Sequence, residues 1–393
     1  MPLSTSLQSG IARRVDRLGA LLGVGAIVAA VTLPFVVHKA NRIASGTPRS
    51  VLEALPRGTA VAALALVAGV AASAALSRRP RLRLAAAVAG VTGIALALGR
   101  AADVLTPAGN RLTRVSPGVG CWLLLVLFAL LATDALARLR PGPAARVGCL
   151  ALTALAAYAA FASGLFDHLS IMREYAVNAS GFGREARQHV LLALGSVGAA
   201  AVIGLPVGIL CHRVPRLRGA ILQALNLIQT IPSIALFGIL MVPLGALATA
   251  VPLAAELGIN GIGPAPAAVA LFLYALLPIV ANTSVGLGRV SPAAVDAARG
   301  MGLTGWQVLS QIEMPLALPV IITGLRIVLV QNIGLVTVAA LIGGGGFGTY
   351  VFQGVGQTAI DLVLLGAIPT VALAFTAAVL LDALVDALQR TAR

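Results

Sequence analysis

The chain has 393 residues, of which 59% are hydrophobic and 10% charged, with a formal net charge of +15. Soluble domains carry about 25% charged residues, so a water-exposed surface is excluded, and a mean hydropathy of +0.98 points to lipid as the solvent. The positive charge does not indicate nucleic acid, because the arginines stand in short groups between apolar runs, as in RRPRLR (78–83) and HRVPRLR (212–218), the pattern of cytoplasmic loops.

A spanning helix needs roughly 20 mainly apolar residues. About ten runs meet that length, at 18–37, 58–77, 82–99, 118–137, 147–166, 190–210, 219–248, 266–287, 317–342 and 362–387. The expected fold is an all-α polytopic membrane protein. The first run follows Arg13, Arg14 and Arg17 and lacks a small-residue cleavage site leading into a soluble domain, so it reads as a retained span. The second and third are joined by the tight arginine turn. The seventh is too long for one straight span, and Pro232 and Pro243 are expected to kink it or set off a surface helix. With the amino terminus in the cytoplasm and the spans alternating, more arginines fall inside than outside. The bias is clearest late in the chain, where the outer loops 249–265 and 343–361 hold no Arg or Lys; the basic loop 38–57 weakens it earlier. Both termini are then cytoplasmic.

Two regions are expected. Residues 1–166 form an accessory region of about five spans, Ala-, Leu- and Val-rich, with few polar side chains at depth. Residues 167–393 carry amides, hydroxyls and prolines inside about five further spans. Polar groups in lipid are costly and usually face a bundle interior or a pathway, so the second region is the working half. Cys121, Cys149 and Cys211 and the scattered histidines have no metal-ligand spacing, and no metal site is expected.

The polar interruption 288–316 has its own local logic. Ser291 and Pro292 start a helix as N-cap and first helical residue, and Gly300 and Gly302 stop it. Thr304 opens a second helix with Gln307 at capping-box spacing. Pro315 is expected to end that helix just before the next span. Trp306, Leu309 and Ile312 recur at helical spacing, either to pack on the protein's own spans or to dock a cytoplasmic partner.

These residues resemble the cytoplasmic signature of ABC-importer permeases: Glu-Ala-Ala, three residues, Gly, nine residues, Ile, one residue, Leu-Pro. Here it reads Asp296-Ala297-Ala298, Gly302, Ile312, Met314-Pro315, with Asp for Glu and Met for Leu. Three further stretches are similar to the branch that imports glycine betaine, carnitine and choline: NLIQTIPSIALFG (226–238), LYALLPIVANTSVGL (273–287) and AALIGGGGFGTYVFQG (339–354). The extra amino-terminal spans resemble, in layout, the long permeases of the Yeh type. The resemblance implies that the carboxy-terminal spans form an ABC-importer (MetI-like) permease core. It implies that Asp296, Ala297, Ala298, Gly302, Trp306, Ile312 and Pro315 couple to an ATP-binding cassette subunit. It also implies a periplasmic or lipid-anchored substrate-binding protein, a second permease subunit (the same chain or another), and a place in the bacterial cytoplasmic (inner) membrane. The substrate class is small compatible solutes such as glycine betaine.

The chain has no P-loop, and its one lysine, Lys39, follows no such motif. It is therefore not expected to hydrolyse ATP; the resemblance implies a transport subunit, not an enzyme, with no cofactor of its own and with ATP hydrolysed by the partner. Asn226, Gln229, Thr230, Asn282 and Asn332 are candidates for a translocation path, against the plainer reading of interhelical hydrogen bonds. Arg326, well inside its span, is expected to be structural, since an arginine in the path would repel a cationic substrate. GGGGFG (343–348) reads as a bend ending the ninth span, because no βαβ unit surrounds it. Aromatic side chains, at 4%, are too few for a tight quaternary-ammonium cage, so selection is expected on the binding protein. The alternative is an ion-gradient-driven secondary transporter, which would need intramembrane carboxylates that these spans hardly supply.

Overall fold

The computed structural model describes residues 16–391 except 43, 108 and 111. Arg13, Arg14 and the chain's terminal residues, which entered the orientation argument, lie outside the described residues. The chain divides into two compact units, Met1–Pro141 with Leu152–Ala176, and Gly142–Ala151 with Val177–Arg393.

The first unit opens with α1 (Arg17–Thr32), β1 (Val36–Lys39), β2 (Thr47–Arg49) and the short α2 (Val51–Ala54). It continues with α3 (Arg57–Leu76), α4 (Pro80–Leu105), β3 (Arg114–Pro117) and α5 (Val119–Leu139). The first expected span is split. Pro34 cannot continue the helix and holds Leu33 extended, so the apolar run ends α1 after 16 residues and passes into a strand. Among the described residues nine helices are long and apolar enough to cross a membrane, and α1 is shorter. The connecting segments also build a small antiparallel sheet in the order β2-β1-β3, unforeseen in an otherwise helical chain. Both outer strands carry a proline, Pro48 and Pro117, which blunts their free edges.

The core of this unit joins α1, α3, α4 and α5 around Val67, Ile94, Leu124 and Phe128. Small residues let the backbones close up: a Cβ at Gly19 would strike the Ala74 carbonyl, and one at Gly90 would lie 2.7 Å from the Phe128 ring. At the end of the unit that carries the α3–α4 turn, Arg83 is fully buried and pairs with Asp16 (2.9 Å) and Asp134 (3.2 Å). Arg138 bridges the same two carboxylates, at 2.8 and 3.0 Å. Asp16 also caps α1 by accepting from the Gly19 N–H. That bond, with the two arginines, lowers its carboxyl to about 2.

α6 (Pro143–Ala162) and α7 (Ser170–Arg213) each contribute residues to both units. The second unit continues with α8 (Pro215–Thr230), α9 (Ser233–Ala250), the short α10 (Pro252–Glu256) and α11 (Pro264–Gly288). The long seventh run is therefore two helices, broken where Ile231 is held extended before Pro232. Next come α12 (Pro292–Gly300), α13 (Gly305–Val308), a π-helical turn (Leu309–Glu313), α14 (Met314–Ala339), α15 (Gly348–Gly356) and α16 (Ile360–Thr391). Its core gathers Leu271, Ile279 and Ala270 of α11 with Val328, Ile333 and Val336 of α14, supported by α7 and α9.

Arg326 meets a carboxylate: it pairs with Asp382 of α16. The first turns of α6 join the same network, since Arg146 bridges Asp382 (2.8 Å) and Asp386 (2.9 Å). These carboxylates lie in the last third of α16, and arginines already pair with them, which leaves them poorly suited to bind a coupling ion. A stability prediction follows for shortened chains. One that starts at residue 142 keeps Arg146; one that starts at 167 strips Asp386 of its ion-pair partner. The shorter chain is expected to melt lower in the same detergent, and equal melting temperatures would show that Arg146 contributes nothing to the second unit.

Candidate functional site

The interruption between α11 and α14 is built as a helix, a glycine turn and a second helix. Pro292 occupies the first turn of α12, where its missing N–H costs nothing. The helix closes in a Schellman motif: the Leu303 N–H donates to the Ala298 carbonyl (3.2 Å) and the Gly302 N–H to that of Arg299 (2.9 Å). Gly302 takes the left-handed position with φ +85, and open space lies where its Cβ would be. It is therefore the backbone conformation, not crowding, that demands glycine. Thr304 then forms the expected capping box: its N–H donates to Gln307 Oε1 at 2.8 Å, and the Gln307 N–H returns to Thr304 Oγ1 at 3.4 Å.

Pro315 does not end the second helix. Residues Gly305–Ile342 run on as one apolar helical rod. The π-helical turn explains this: the Met314 N–H reaches back to the Leu309 carbonyl, so the hydrogen-bond register has already shifted before the proline. Pro315 then lies in the first turn of α14, where no donor is required.

The expected coupling residues divide by direction. Ala298 is buried, with Val308 and Leu309 beside it in the loop; Leu309 packs in a small core with Leu287, Ala317 and Ile321. Asp296, Ala297, Gly302 and Pro315 are exposed, and Ile312 is half-buried. Trp306 is 74% exposed and Met301 72% exposed. The stripe Trp306–Leu309–Ile312 is thus split, its middle member holding the loop down and its tryptophan pointing out.

One element of the site escaped sequence reasoning. Glu313, 3% exposed, pairs with Arg213 at the end of α7. It ties the loop to a second helix across 100 positions of sequence. The available signal was its isolation: no other carboxylate lies between Asp296 and Asp361, while the arginines of HRVPRLR stand about 100 positions earlier.

The candidate pathway residues also divide. Asn226 and Thr230 are exposed on α8. Gln229 donates to the Tyr274 carbonyl of α11 (2.8 Å). Asn282 donates to the Pro278 carbonyl of its own helix (2.8 Å) and lies against Gly324, whose Cβ would come within 2.6 Å of it. Asn332 is buried and cross-links three helices, donating to Ser196 Oγ (3.0 Å) and the Leu271 carbonyl (3.2 Å).

The glycine-rich bend turns through positive φ at Gly343, Gly345 and Gly346. Three side chains of α7 hold it. Glu185 accepts from the Gly346 N–H (2.8 Å), and Gln188 donates to the Gly344 carbonyl (3.4 Å). His189 Nδ1 accepts from the Phe347 N–H (3.2 Å), so its proton sits on Nε2, which faces the Ile333 carbonyl at 3.0 Å.

Comparison with known proteins gives two family matches. Residues 16–172 match the N-terminal domain of the ABC transporter permease YehY. Residues 202–393 match the binding-protein-dependent transport system inner membrane component. Among curated proteins, the osmoprotectant import permease protein OsmW of Salmonella typhimurium is 44% identical over 202 residues, 51% of this chain and 87% of that protein. The carnitine transport permease protein OpuCD of Listeria monocytogenes is 39% identical over 208 residues, 53% of this chain and 86% of that protein. A solved structure of the MetNI methionine ABC transporter, in an inward-facing conformation, overlays 53% of this chain and 95% of its own at 24% identity, with a TM-score of 0.46.

Proposed function

The chain belongs to the ABC-importer permeases, the inner-membrane components of binding-protein-dependent transport systems, and on that premise we propose that it passes small quaternary-ammonium solutes such as glycine betaine, carnitine or choline. It is a multi-pass membrane protein and a transport subunit, not the ATPase. The substrates of its relatives, osmoprotectant, carnitine and glycine betaine/carnitine/choline permeases, support the substrate class. In this reading the loop 288–316 seats the ATP-binding cassette subunit, with Asp296, Ala297, Met301 and Trp306 on its outer face. The observation that carries it is a large aromatic held out into solvent by a loop whose own core is closed. The chain sits in the bacterial cytoplasmic membrane, and a periplasmic or lipid-anchored protein delivers the solute.

The path runs past α8. Asn226 and Thr230 are exposed on α8, a 16-residue helix that ends at Ile231 just before the apolar α9, and polar side chains do not face lipid at depth. They face water or a second permease subunit across the path. Gln229, Asn282 and Asn332 fix the helices behind it, because their amides are already engaged.

Betaine uptake against concentration, in vesicles holding all subunits, tests both parts. Asn226→Ala is expected to lower the maximal rate and leave the half-maximal concentration unchanged, because the binding protein sets apparent affinity. A raised half-maximal concentration at full maximal rate would put the selective site in this chain. Uptake of an unrelated amino acid, and none of betaine, would overturn the substrate class.

A further inference from the structure

The arginine turn between α3 and α4 has two kinds of arginine. Arg83 points inward, and its Nη1 pairs with Asp16 and Asp134. Arg79, the N-cap of α4, and Arg81 in its first turn are exposed and stand in no ion pair among the described residues. Two apolar grooves begin beside them. One, of about 670 Å³, runs from Arg81 along Ala85, Ala89 and Gly93 to Leu96. The other, of about 630 Å³, lies between α3 and α4 along Ser77, Leu76 and Ser73 and shares Ala85 and Ala89 with the first. From Arg81 to Leu96 the line measures about 22 Å at 1.5 Å rise per residue. That exceeds one leaflet's share, roughly half, of the ~30 Å hydrocarbon core.

We propose that these paired grooves seat one anionic phospholipid, its two acyl chains astride Ala85 and Ala89 and its phosphate against Arg79 and Arg81. The small side chains make room for chains of any lipid; the arginines choose the headgroup. A guanidinium grips a phosphate with two parallel hydrogen bonds, and the amino-terminal end of the 26-residue α4 adds its partial positive charge. Basic clusters at the cytoplasmic end of a spanning helix attract anionic lipid in this way. A zwitterionic lipid brings its own ammonium to the same place and loses the advantage. A second copy of the chain is a poorer occupant, because a symmetric contact would set this arginine turn against itself.

The test is native mass spectrometry of the full chain extracted from vesicles of equal phosphatidylglycerol and phosphatidylcholine. The wild type is expected to retain phosphatidylglycerol in preference. Arg79→Gln with Arg81→Gln is expected to lose that preference by roughly fivefold per arginine, about 25-fold together. Both side chains are exposed, so the variant keeps its fold; Ala89→Leu, which fills the shared line, should shed bound lipid of both kinds. Equal retention of the two lipids by the wild type would overturn the proposal, as would wild-type phosphatidylglycerol retention in the double variant. A dimer mass that vanishes in Ala89→Leu, with lipid retention unchanged, would assign the grooves to a second copy instead.

Discussion

Trp306→Ala is expected to abolish solute uptake while leaving the chain folded and inserted. The side chain is 74% exposed, so its removal takes little from the protomer's own packing. Its value lies in contact with the ATPase subunit, where a buried tryptophan anchor is commonly worth about 2 kcal/mol or more. Leu309→Ala gives the contrast: the leucine faces inward, and its loss should lower stability by about 2 kcal/mol before it touches coupling. Gly302→Leu should behave like the tryptophan variant for a different reason. A leucine at φ +85 costs about 1–2 kcal/mol of backbone strain, which relaxes by moving the turn and re-aiming α13. Uptake, ATP hydrolysis and melting temperature, measured side by side, separate these cases. Normal uptake in Trp306→Ala and Gly302→Leu together would remove the loop from the coupling path.

Arg213→Ala is expected to be the most damaging change that touches neither the outer face of the loop nor the path. It leaves Glu313 buried without its partner. Breaking a fully buried pair costs about 3–5 kcal/mol, and a discount is due because the Arg213 side chain is 35% exposed; about 2 kcal/mol is the expected loss. Glu313→Gln should be milder, since it removes the buried charge along with the pair. The double variant Arg213→Leu with Glu313→Leu should recover most of the melting temperature, and that non-additivity is the mark of a direct pair. If Arg213→Ala and Glu313→Gln shift the melting temperature equally, and their effects simply add, the two residues do not act on each other.

What the sequence disclosed and what it hid differ by the range of the physics involved. The capping box of Thr304 and Gln307, the glycine at position 302 and the break at Pro232 depend on neighbours a few residues apart, and each stands where local rules place it. Pro315 was misjudged by the same local rules, because a π-helical turn upstream changes which carbonyl the proline leaves unbonded. The first span was overextended because apolar periodicity does not register that Pro34 hands the chain to a strand, whose partners lie as far off as residue 117. The Arg213–Glu313 pair joins residues 100 positions apart and had no local signature. Asn332 shows the same limit within one residue type. Nothing in its neighbourhood of sequence separates an amide that cross-links three helices from Asn226, which stands exposed.

The loop between α11 and α14 is proposed as the seat of the ATPase subunit. The most direct measurement is site-directed cross-linking in the assembled importer, with Cys149, the exposed native cysteine, replaced by serine. Met301→Cys lies on the outer face of the loop, and Leu257→Cys marks the opposite end of α11, which spans about 37 Å at 1.5 Å per residue. A short bifunctional thiol reagent is expected to join the chain to the ATPase subunit from position 301 and not from position 257. A cross-link from 257, or none from 301 in a complex that still hydrolyses ATP, would contradict it.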